Sequence, residues 1–348
     1  MMTQIHHRAH NCANVHKLES FSTKKCFGLR RVRRWVCWAA ATALCLMAVR
    51  HGAGAPKAPT LSVFTAILPQ AFFVERVGGD RVRVQTLVLP GQSPHTYNPT
   101  PRQIADLLQA RLYFQIGFPF EDAILKKIDG AAPRLRVVDT RKGVPMRRME
   151  EHEMDAHTHG ASPAKSEPHA EHDHAHHAGE PDPHIWLNPQ FAKIQAQTIR
   201  DALIEADPEA RAAYETNYAA LASELDEIDS RLRRVLAPLK GRELLVYHPA
   251  YSYFADAYGL KQTPVEISGK EPSPRQLAAL IARAKAQNAR VIFVQPQFSQ
   301  KSARAVADAI GGVVIPLDPL AKDYTANLQA MADAIGKAFK EQSVGTGD

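Results

Sequence analysis

Short runs rich in β-branched and aromatic residues alternate with amphipathic helical stretches along most of this chain. After residue 55, eight such runs read as strands: Leu61–Ile67, Val82–Leu89, Arg111–Gly117, Arg136–Thr140, Glu243–Tyr247, Leu260–Ile267, Val291–Gln295 and Val313–Leu317. Strands that alternate with helices pair in parallel, because each crossover helix returns the chain to the same end of the sheet. The pattern therefore predicts an α/β protein with mostly parallel sheets.

A helix-forming stretch of 29 residues, Pro208 to Leu236, separates the two groups of strands. At 1.5 Å per residue it would be roughly 43 Å long, which is enough to cross a whole domain. We expect two α/β lobes joined by this rigid helix, with a ligand site in the cleft beyond the carboxyl ends of the strands. The predicted boundaries are a leader at 1–55, a first lobe at 56–206, a linking helix at 207–238 and a second lobe at 239–348.

A capping residue followed by proline marks four predicted helix starts. Such a pair suits the first turn, because the side chain caps a free N–H group and proline needs no partner there. The pairs are Thr100–Pro101, Asn188–Pro189, Asp207–Pro208 and Ser273–Pro274.

The net charge of +7 is concentrated in the leader. Residues 1–55 have nine Lys or Arg and one acid, a net +8, which leaves −1 for the rest. This distribution argues against a nucleic-acid partner. All four cysteines also lie there, so the remaining chain has no thiol for a disulfide, a thiolate metal site or a nucleophile.

The leader has the pattern of a secretory signal. Basic residues at 30–34 precede the apolar run Trp35–Val49 and the small residues Ala53–Ala55. A run of fifteen residues is short for a membrane span, which needs about 20. We expect export to the periplasm, with a retained membrane anchor as the alternative.

The segment Glu151–His177 is rich in histidine and acids and has almost no apolar residues. It cannot bury enough surface to offset its ordering entropy, so we expect a disordered loop at 150–182. Neutral imidazoles beside carboxylates bind divalent metals, above all zinc. The accessory metal-binding residues predicted here are His152, His157, His159, His169, His172, His174, His176 and His177. The alternative interpretation is a solvated polar linker.

Outside the leader and this segment the chain has three histidines, His95, His184 and His248. Each lies just after a predicted strand or at a helix start, among prolines that stiffen the backbone. A stiff loop suits a metal ligand, because less free energy is spent on ordering when the ion binds. Asp318 follows the last strand and is the candidate fourth ligand, or else a turn or helix-cap aspartate. Three imidazoles and a carboxylate favour zinc over calcium or magnesium.

Several motifs resemble those of the metal-specific periplasmic solute-binding proteins of zinc and manganese ABC importers. The motifs are Gly91–Pro101, Asp182–Pro189, Tyr247–Leu260, Glu271–Leu277 and Phe293–Ser302 followed by Leu317–Leu320. The resemblance covers nearly all of the chain after the leader. It implies two α/β lobes bridged by a long helix, with one metal between them. By motif, His95 and His184 would come from the first lobe, and His248 and Asp318 from the second.

The resemblance also implies a function, high-affinity capture of zinc in the periplasm and delivery to a membrane permease. Manganese members usually have a carboxylate where this chain has His248, so zinc is the expected ion rather than manganese. No phosphate-binding loop of the GxxxxGK[ST] type occurs, so the ATPase would be a separate polypeptide. We expect a monomer that is not an enzyme.

Three alternatives stay open. The chain could carry manganese or iron, or it could be a zinc buffer or adhesin in which the histidine-rich segment does the main work. A zinc hydrolase is disfavoured, because no HExxH helix and no obvious general base beside His95, His184 or His248 appear in the sequence, and Asp318 would fill the open fourth position. The resemblance also departs from the family at two positions: Pro94 stands where some zinc members have an acid, and Gln295 where relatives often have Glu.

Overall fold

Each half of the chain forms a four-stranded parallel sheet in this computed structural model, which describes residues 60–149, 181–266, 273–298 and 300–344. The strand order is β2-β1-β3-β4 in the first sheet and β6-β5-β7-β8 in the second. The strands are β1 (Leu61–Thr65), β2 (Val82–Thr86), β3 (Leu112–Gln115), β4 (Arg136–Asp139), β5 (Glu243–Val246), β6 (Lys261–Pro264), β7 (Val291–Val294) and β8 (Val313–Pro316). Each lies within a run predicted as a strand. The prediction of two parallel-sheet α/β lobes is therefore confirmed.

Helices connect the strands and cover the sheets. They are α1 (Leu68–Gly78), α2 (Pro101–Leu108), α3 (Pro119–Ile128), α4 (Pro189–Ala206), α5 (Arg211–Leu236), α6 (Ser252–Tyr258), α7 (Pro274–Ala286), α8 (Gln300–Ile310) and α9 (Tyr324–Val344). Within the described ranges, no helix has both the length and the apolar character needed to cross a bilayer. The predicted leader and the predicted metal-binding histidines at 152–177 lie outside the described residues.

Three of the four predicted helix starts have the expected side-chain cap. Thr100 and Ser273 form capping boxes with the glutamine three residues later, and Asn188 accepts a hydrogen bond from a backbone N–H. The prediction at Asp207 was wrong in detail. Pro208 begins a three-residue 3-10 turn, and the Asp207 carboxylate accepts hydrogen bonds from Arg81 and Tyr214 instead of capping a helix.

The long helix α5 links the two lobes. Its 26 residues span about 39 Å. It packs against α1 and α4 of the first lobe and against α6 and α9 of the second. The buried residues recur at helical spacing and are Tyr214, Leu221, Leu225, Ile228, Leu232 and Leu236, with Asp229 among them. The predicted linking helix is therefore present. It begins at Arg211, three residues after the predicted start at Pro208, because Pro208–Ala210 form the 3-10 turn.

Two apolar clusters make up the core of the described residues. The larger contains residues of both lobes, such as Val63 and Phe114 from the first sheet and Leu244 and Phe254 from the second lobe. The smaller lies on the other face of the second sheet, where Ile292 meets residues of α7 and α8. Since strands of a parallel sheet are buried on both faces, this second layer completes the lobe.

A buried carboxylate fixes the loop that follows β3. The hydroxyl of Tyr113 donates to Glu121 Oε1 at 2.5 Å. The backbone N–H groups of Gly117 and Phe118 donate to Oε2 at 2.6 and 2.7 Å. Glu121 lies in the first turn of α3, so one side chain ties the end of the strand to the start of the helix. The loop places the ring of Phe118 at the carboxyl end of the first sheet.

Glu121 should make the stability of the metal-free protein depend on pH. Burial raises the pKa of Glu121 from 4.5 to about 7, although the hydroxyl of Tyr113 and the backbone N–H groups oppose the shift. Between these values the folded protein holds a proton that the unfolded chain releases. The contribution of Glu121 to stability therefore falls as pH rises from 4.5 through 7. The full effect is on the order of 3 kcal/mol, at about 1.4 kcal/mol per pKa unit.

Urea unfolding of the wild type and of Glu121→Gln at several values between pH 5 and pH 8 tests this expectation. The variant lacks the titrating group, so the difference between the two proteins isolates its contribution. The wild type should lose stability relative to the variant as pH rises. A difference that stays constant over this range would contradict the prediction.

Candidate metal centre

Three histidines meet between the two lobes. The Nε2 atom of His95 lies 2.9 Å from that of His248 and 3.4 Å from that of His184. One ring nitrogen of each residue lies within 4.8 Å of the others. Among the described residues, these three form the group of His, Cys, Asp or Glu side chains whose ligand atoms lie close enough together to hold a metal ion.

Each histidine is placed by the start or end of a regular element. His95 lies in the loop after β2, and His248 lies in the loop after β5. His184 precedes a 3-10 turn that leads into α4. Because β2 and β5 belong to parallel sheets, both loops lie at carboxyl ends of strands, where ligand sites of α/β proteins are found. His184 and His248 are buried, and His95 is half-buried.

Two buried carboxylates orient two of the rings. Asp182 Oδ1 lies 2.6 Å from His184 Nδ1, and Glu266 Oε1 lies 2.5 Å from His248 Nδ1. A carboxylate oxygen accepts hydrogen bonds, so each of these rings carries its proton on Nδ1 and leaves the lone pair of Nε2 free for a cation. Burial also lowers the pKa of His184, although the charge of Asp182 opposes the shift. The neutral form that binds metal is therefore favoured at His184.

The sequence analysis did not identify these two carboxylates as functional residues. Asp182 could have been found, because it stands two residues before His184, a spacing that lets the carboxylate reach the ring. Glu266 follows β6 and is 18 residues from His248, so only the pairing of β5 with β6 brings it near.

Removal of the Glu266 carboxylate should weaken metal binding. We expect Glu266→Ala to lower zinc affinity about 10–100-fold, because the ring of His248 loses the partner that fixes its proton and its orientation. Glu266→Gln should lose less, since the amide oxygen still accepts a hydrogen bond from Nδ1. Competition with a zinc-binding dye measures both variants.

Glu243→Gln is the matched control for this series. Glu243 lies on β5 of the same sheet, where its carboxylate pairs with Arg283 and accepts from Thr263. It should leave zinc affinity unchanged. A similar loss of affinity in Glu243→Gln and Glu266→Ala would mean that the effect comes from the sheet and not from the orientation of His248.

Aromatic rings surround the histidines. Phe298 stacks on His248 with ring centroids 4.9 Å apart. The ring of Phe118 meets that of His95 edge-on, with centroids 5.2 Å apart. The ring centroids of Trp186 and His184 lie 5.3 Å apart. The cavity that these rings and the histidines line is about 10 Å³, close to the space that one water molecule needs.

Two further residues of interest are Gln295, in the loop after β7, and Asp318, in the loop after β8. Gln295 donates from Nε2 to the carbonyl of His248 at 2.8 Å and accepts from its N–H at 3.2 Å. A glutamate at this position could not donate, so the glutamine fits this backbone contact. Asp318 lies outside the close group of three histidines. Its Oδ1 accepts hydrogen bonds from Gln297 and from the N–H of Leu320, and its role as fourth ligand stays a prediction.

Hydrogen bonds join the two lobes around the site. The hydroxyl of Ser252 in α6 donates to Asp182 Oδ2. The indole N–H of Trp186 donates to the carbonyl of Pro319 at 2.7 Å, and the hydroxyl of Tyr324 donates to the carbonyl of Trp186 at 2.6 Å. The residues around His184 in the first lobe are therefore held against the second lobe.

The sequence of this chain is similar to those of proteins named for zinc uptake. Residues 63–338 match the family described as zinc-uptake complex component A, periplasmic, or ZnuA. The high-affinity zinc uptake system protein ZnuA of Brucella abortus (strain 2308) is 30% identical over 278 residues, which cover 74% of this chain and 83% of that protein.

Two solved structures are also similar. A crystal structure of ZnuA shares 40% sequence identity with a TM-score of 0.70, and the match covers 80% of this chain and 99% of that one. A ZnuA deletion variant with zinc bound shares 39% identity with a TM-score of 0.69, over 80% of this chain and 98% of that one.

Proposed function

Because the chain belongs to the family of the periplasmic zinc-uptake complex component A, we propose that His95, His184 and His248 hold the ion that it carries. The chain is the zinc-binding, solute-binding component of an ABC importer. The observation that carries the proposal is the convergence of three Nε2 atoms from two lobes on one small cavity.

The spacing of the nitrogen atoms supports zinc as the ligand. Zinc binds imidazole nitrogen at about 2.0–2.1 Å, so a tetrahedral ion would hold two such atoms about 3.3 Å apart. The separations of 3.4 Å and 2.9 Å are close to this value. The third pair, His184 and His248, also has its ligand nitrogens within 4.8 Å of each other.

The donor atoms also favour zinc over manganese. Imidazole nitrogen suits zinc, whereas manganese prefers carboxylate, carbonyl and water oxygen. The carboxylates that contact the histidines, Asp182 and Glu266, are turned toward the Nδ1 atoms and not toward the space between the Nε2 atoms. We therefore propose that manganese binds more weakly than zinc.

Calorimetric titration of zinc and of manganese into the protein after residue 55 tests the proposed function. The same titration without residues 151–177 separates the histidine cluster from the predicted accessory histidines of that segment. One tight zinc event should remain after the deletion. If tight binding is lost with the segment, the protein is a zinc buffer, and tighter binding of manganese would make it a manganese carrier.

Delivery of the ion follows from the position of the site between the lobes. Ligands from both lobes draw together on the ion, so the loaded form differs in shape from the free form, and the permease distinguishes the two. Since α5 packs against helices of both lobes, we propose a small tilt with local loop ordering rather than a wide hinge motion. The partner that this protein would meet in the periplasm, as a monomer, is an ABC permease, whose separate ATPase subunit drives transport.

We propose a carrier and not a hydrolase. Many zinc hydrolases place a carboxylate as general base within reach of the bound water. Asp182 and Glu266 already accept hydrogen bonds from the histidine rings, and neither lines the cavity. The histidine-rich segment would serve as a weak local reservoir that raises the zinc concentration near the site.

A further inference from the structure

The two carboxylates that orient histidine rings differ in which lobe supports them. Glu266 follows β6 and contacts His248, so both members of this pair belong to the second lobe. Asp182 contacts His184 in the first lobe, but its other oxygen accepts a hydrogen bond from Ser252 in the second lobe. The orientation of His184 therefore has a support that comes from the opposite lobe.

The contact between Asp182 and Ser252 is buried, with 1% and 4% of the two residues exposed. Oδ1 of Asp182 accepts from the backbone N–H of His184 at 3.0 Å and lies 2.6 Å from its Nδ1, whereas Oδ2 accepts from the hydroxyl of Ser252. A hydrogen bond from a hydroxyl to a carboxylate is stronger than one between neutral groups, because the acceptor is charged. Both oxygens of Asp182 are thus held, one by each lobe.

The first turn of α6 also holds the backbone of Asp182. The hydroxyl of Tyr253 donates to the carbonyl of Asp182 at 3.2 Å and accepts from the N–H of Arg147 at 2.8 Å. The N–H of Asp182 donates in turn to the carbonyl of Arg147 at 2.9 Å. Since these bonds fix the main chain of Asp182, the separate role left to Ser252 is to fix the direction of its carboxylate.

Ser252 lies close in sequence to a predicted metal ligand. His248 lies in the loop after β5, and Ser252 begins α6 at the end of that loop. A displacement of this loop from the first lobe would take the imidazole of His248 from the ion and the hydroxyl of Ser252 from Asp182 together. Because the terminal torsion of an aspartate has broad, soft minima, Asp182 would then hold the ring of His184 less firmly.

We propose that Ser252 is a positioning residue for His184 and that its hydrogen bond to Asp182 makes zinc affinity depend on contact between the lobes. This inference rests on the proposed function. While the lobes are in contact, the ion is held by oriented rings from both sides. When the loop that contains His248 and Ser252 moves away, the bonds of the ion to both lobes weaken together. A small separation, of the size that α5 allows, would then be enough to release the ion to the permease.

A set of variants tests this inference. Ser252→Ala removes the hydroxyl, and Ser252→Thr keeps it. Tyr324→Phe is the matched control, because it removes another buried hydroxyl that joins the lobes, through the carbonyl of Trp186 at 2.6 Å, and leaves Asp182 untouched. Asp182→Ala, alone and combined with Ser252→Ala, shows whether Ser252 acts through this carboxylate. The measurements are zinc affinity by chelator competition, the rate of zinc release, the visible spectrum of the cobalt(II)-loaded protein and the melting temperature without metal.

We expect Ser252→Ala to lower zinc affinity roughly three- to tenfold, less than the about 10–100-fold that follows loss of a residue in contact with the ring. The loss should come mainly from faster release, and the cobalt spectrum should shift. Ser252→Thr should keep wild-type values, and Tyr324→Phe should lower the melting temperature without changing affinity or spectrum. In the Asp182→Ala protein, Ser252→Ala should cause no further loss of affinity.

Two results would overturn the inference. One is a wild-type cobalt spectrum and release rate in Ser252→Ala, and the other is the same loss of affinity from Ser252→Ala with and without the Asp182 carboxylate. An equal loss in Tyr324→Phe and Ser252→Ala would likewise assign the effect to the lobe contact as a whole and not to the orientation of His184. Absence of tight zinc binding in the wild type would instead refute the proposed function.

Discussion

Replacement of His248 by alanine should abolish tight zinc binding and leave the fold intact. His248 is the histidine contributed by the second lobe, and its Nε2 lies 2.9 Å from that of His95. Without it the ion keeps two ligands from one lobe and loses the contact that draws the lobes together. The loss should exceed the 10–100-fold that follows removal of an outer-sphere partner. Calorimetric titration in the chain that lacks residues 151–177 measures it without interference from the segment.

His172→Ala in the full-length chain is the matched control, since it removes one imidazole from the histidine-rich segment. It should leave the tight event unchanged. The melting temperature of His248→Ala without metal should fall somewhat, because the buried Glu266 carboxylate loses its hydrogen-bond partner, so a circular-dichroism spectrum like that of the wild type is the check that the fold is intact. Tight zinc binding that survives in His248→Ala would place the site elsewhere in the protein.

Replacement of Trp186 by alanine should have the largest effect on stability. The side chain is fully buried, packs against the rings of Phe118 and His184, and donates its indole N–H to the carbonyl of Pro319. Its loss leaves a cavity at the contact between the lobes and a carbonyl without its donor. We expect a decrease of about 3–5 kcal/mol in the free energy of unfolding, measured by urea unfolding of the metal-free protein.

Trp186→Phe separates the contribution of packing from that of the hydrogen bond to Pro319. The phenyl ring keeps part of the packing but cannot donate to Pro319, so we expect a smaller loss of about 1–3 kcal/mol. Equal losses in the two variants would show that the hydrogen bond dominates. A loss below 1 kcal/mol in Trp186→Ala would mean that the lobes hold together without this contact.

The regular elements could be predicted from the sequence because their signals are local. A strand of a parallel sheet is buried on both faces, so β7 reads as the unbroken apolar run Val291–Val294. Thr100 and Ser273 mark their helices through the residue pair alone. The prediction at Asp207 failed because its carboxylate, which could cap a helix, accepts hydrogen bonds from Arg81 and Tyr214 instead. Only the tertiary structure brings these two stronger donors close to it.

The site was predictable only in part. His95, His184 and His248 stand out because few histidines occur outside the leader and the histidine-rich segment, and the structure brings these three together. The role of Glu266 depends on the direction of its side chain after β6, which pairs with the strand before His248, and no local pattern encodes that direction. Asp318 follows its strand as expected, but the direction of its carboxylate is set by Gln297 and Leu320.

The packing of α5 against both lobes has a consequence for folding. The larger apolar cluster extends from the first sheet into the second lobe, so most of the interior is shared and neither lobe can bury all of its apolar surface without the other. The chain should therefore unfold in a single cooperative transition, and a fragment cut within α5 should not fold alone. The smaller cluster under α7 and α8 stands apart, and its amide protons should exchange through a local opening before those of the shared interior.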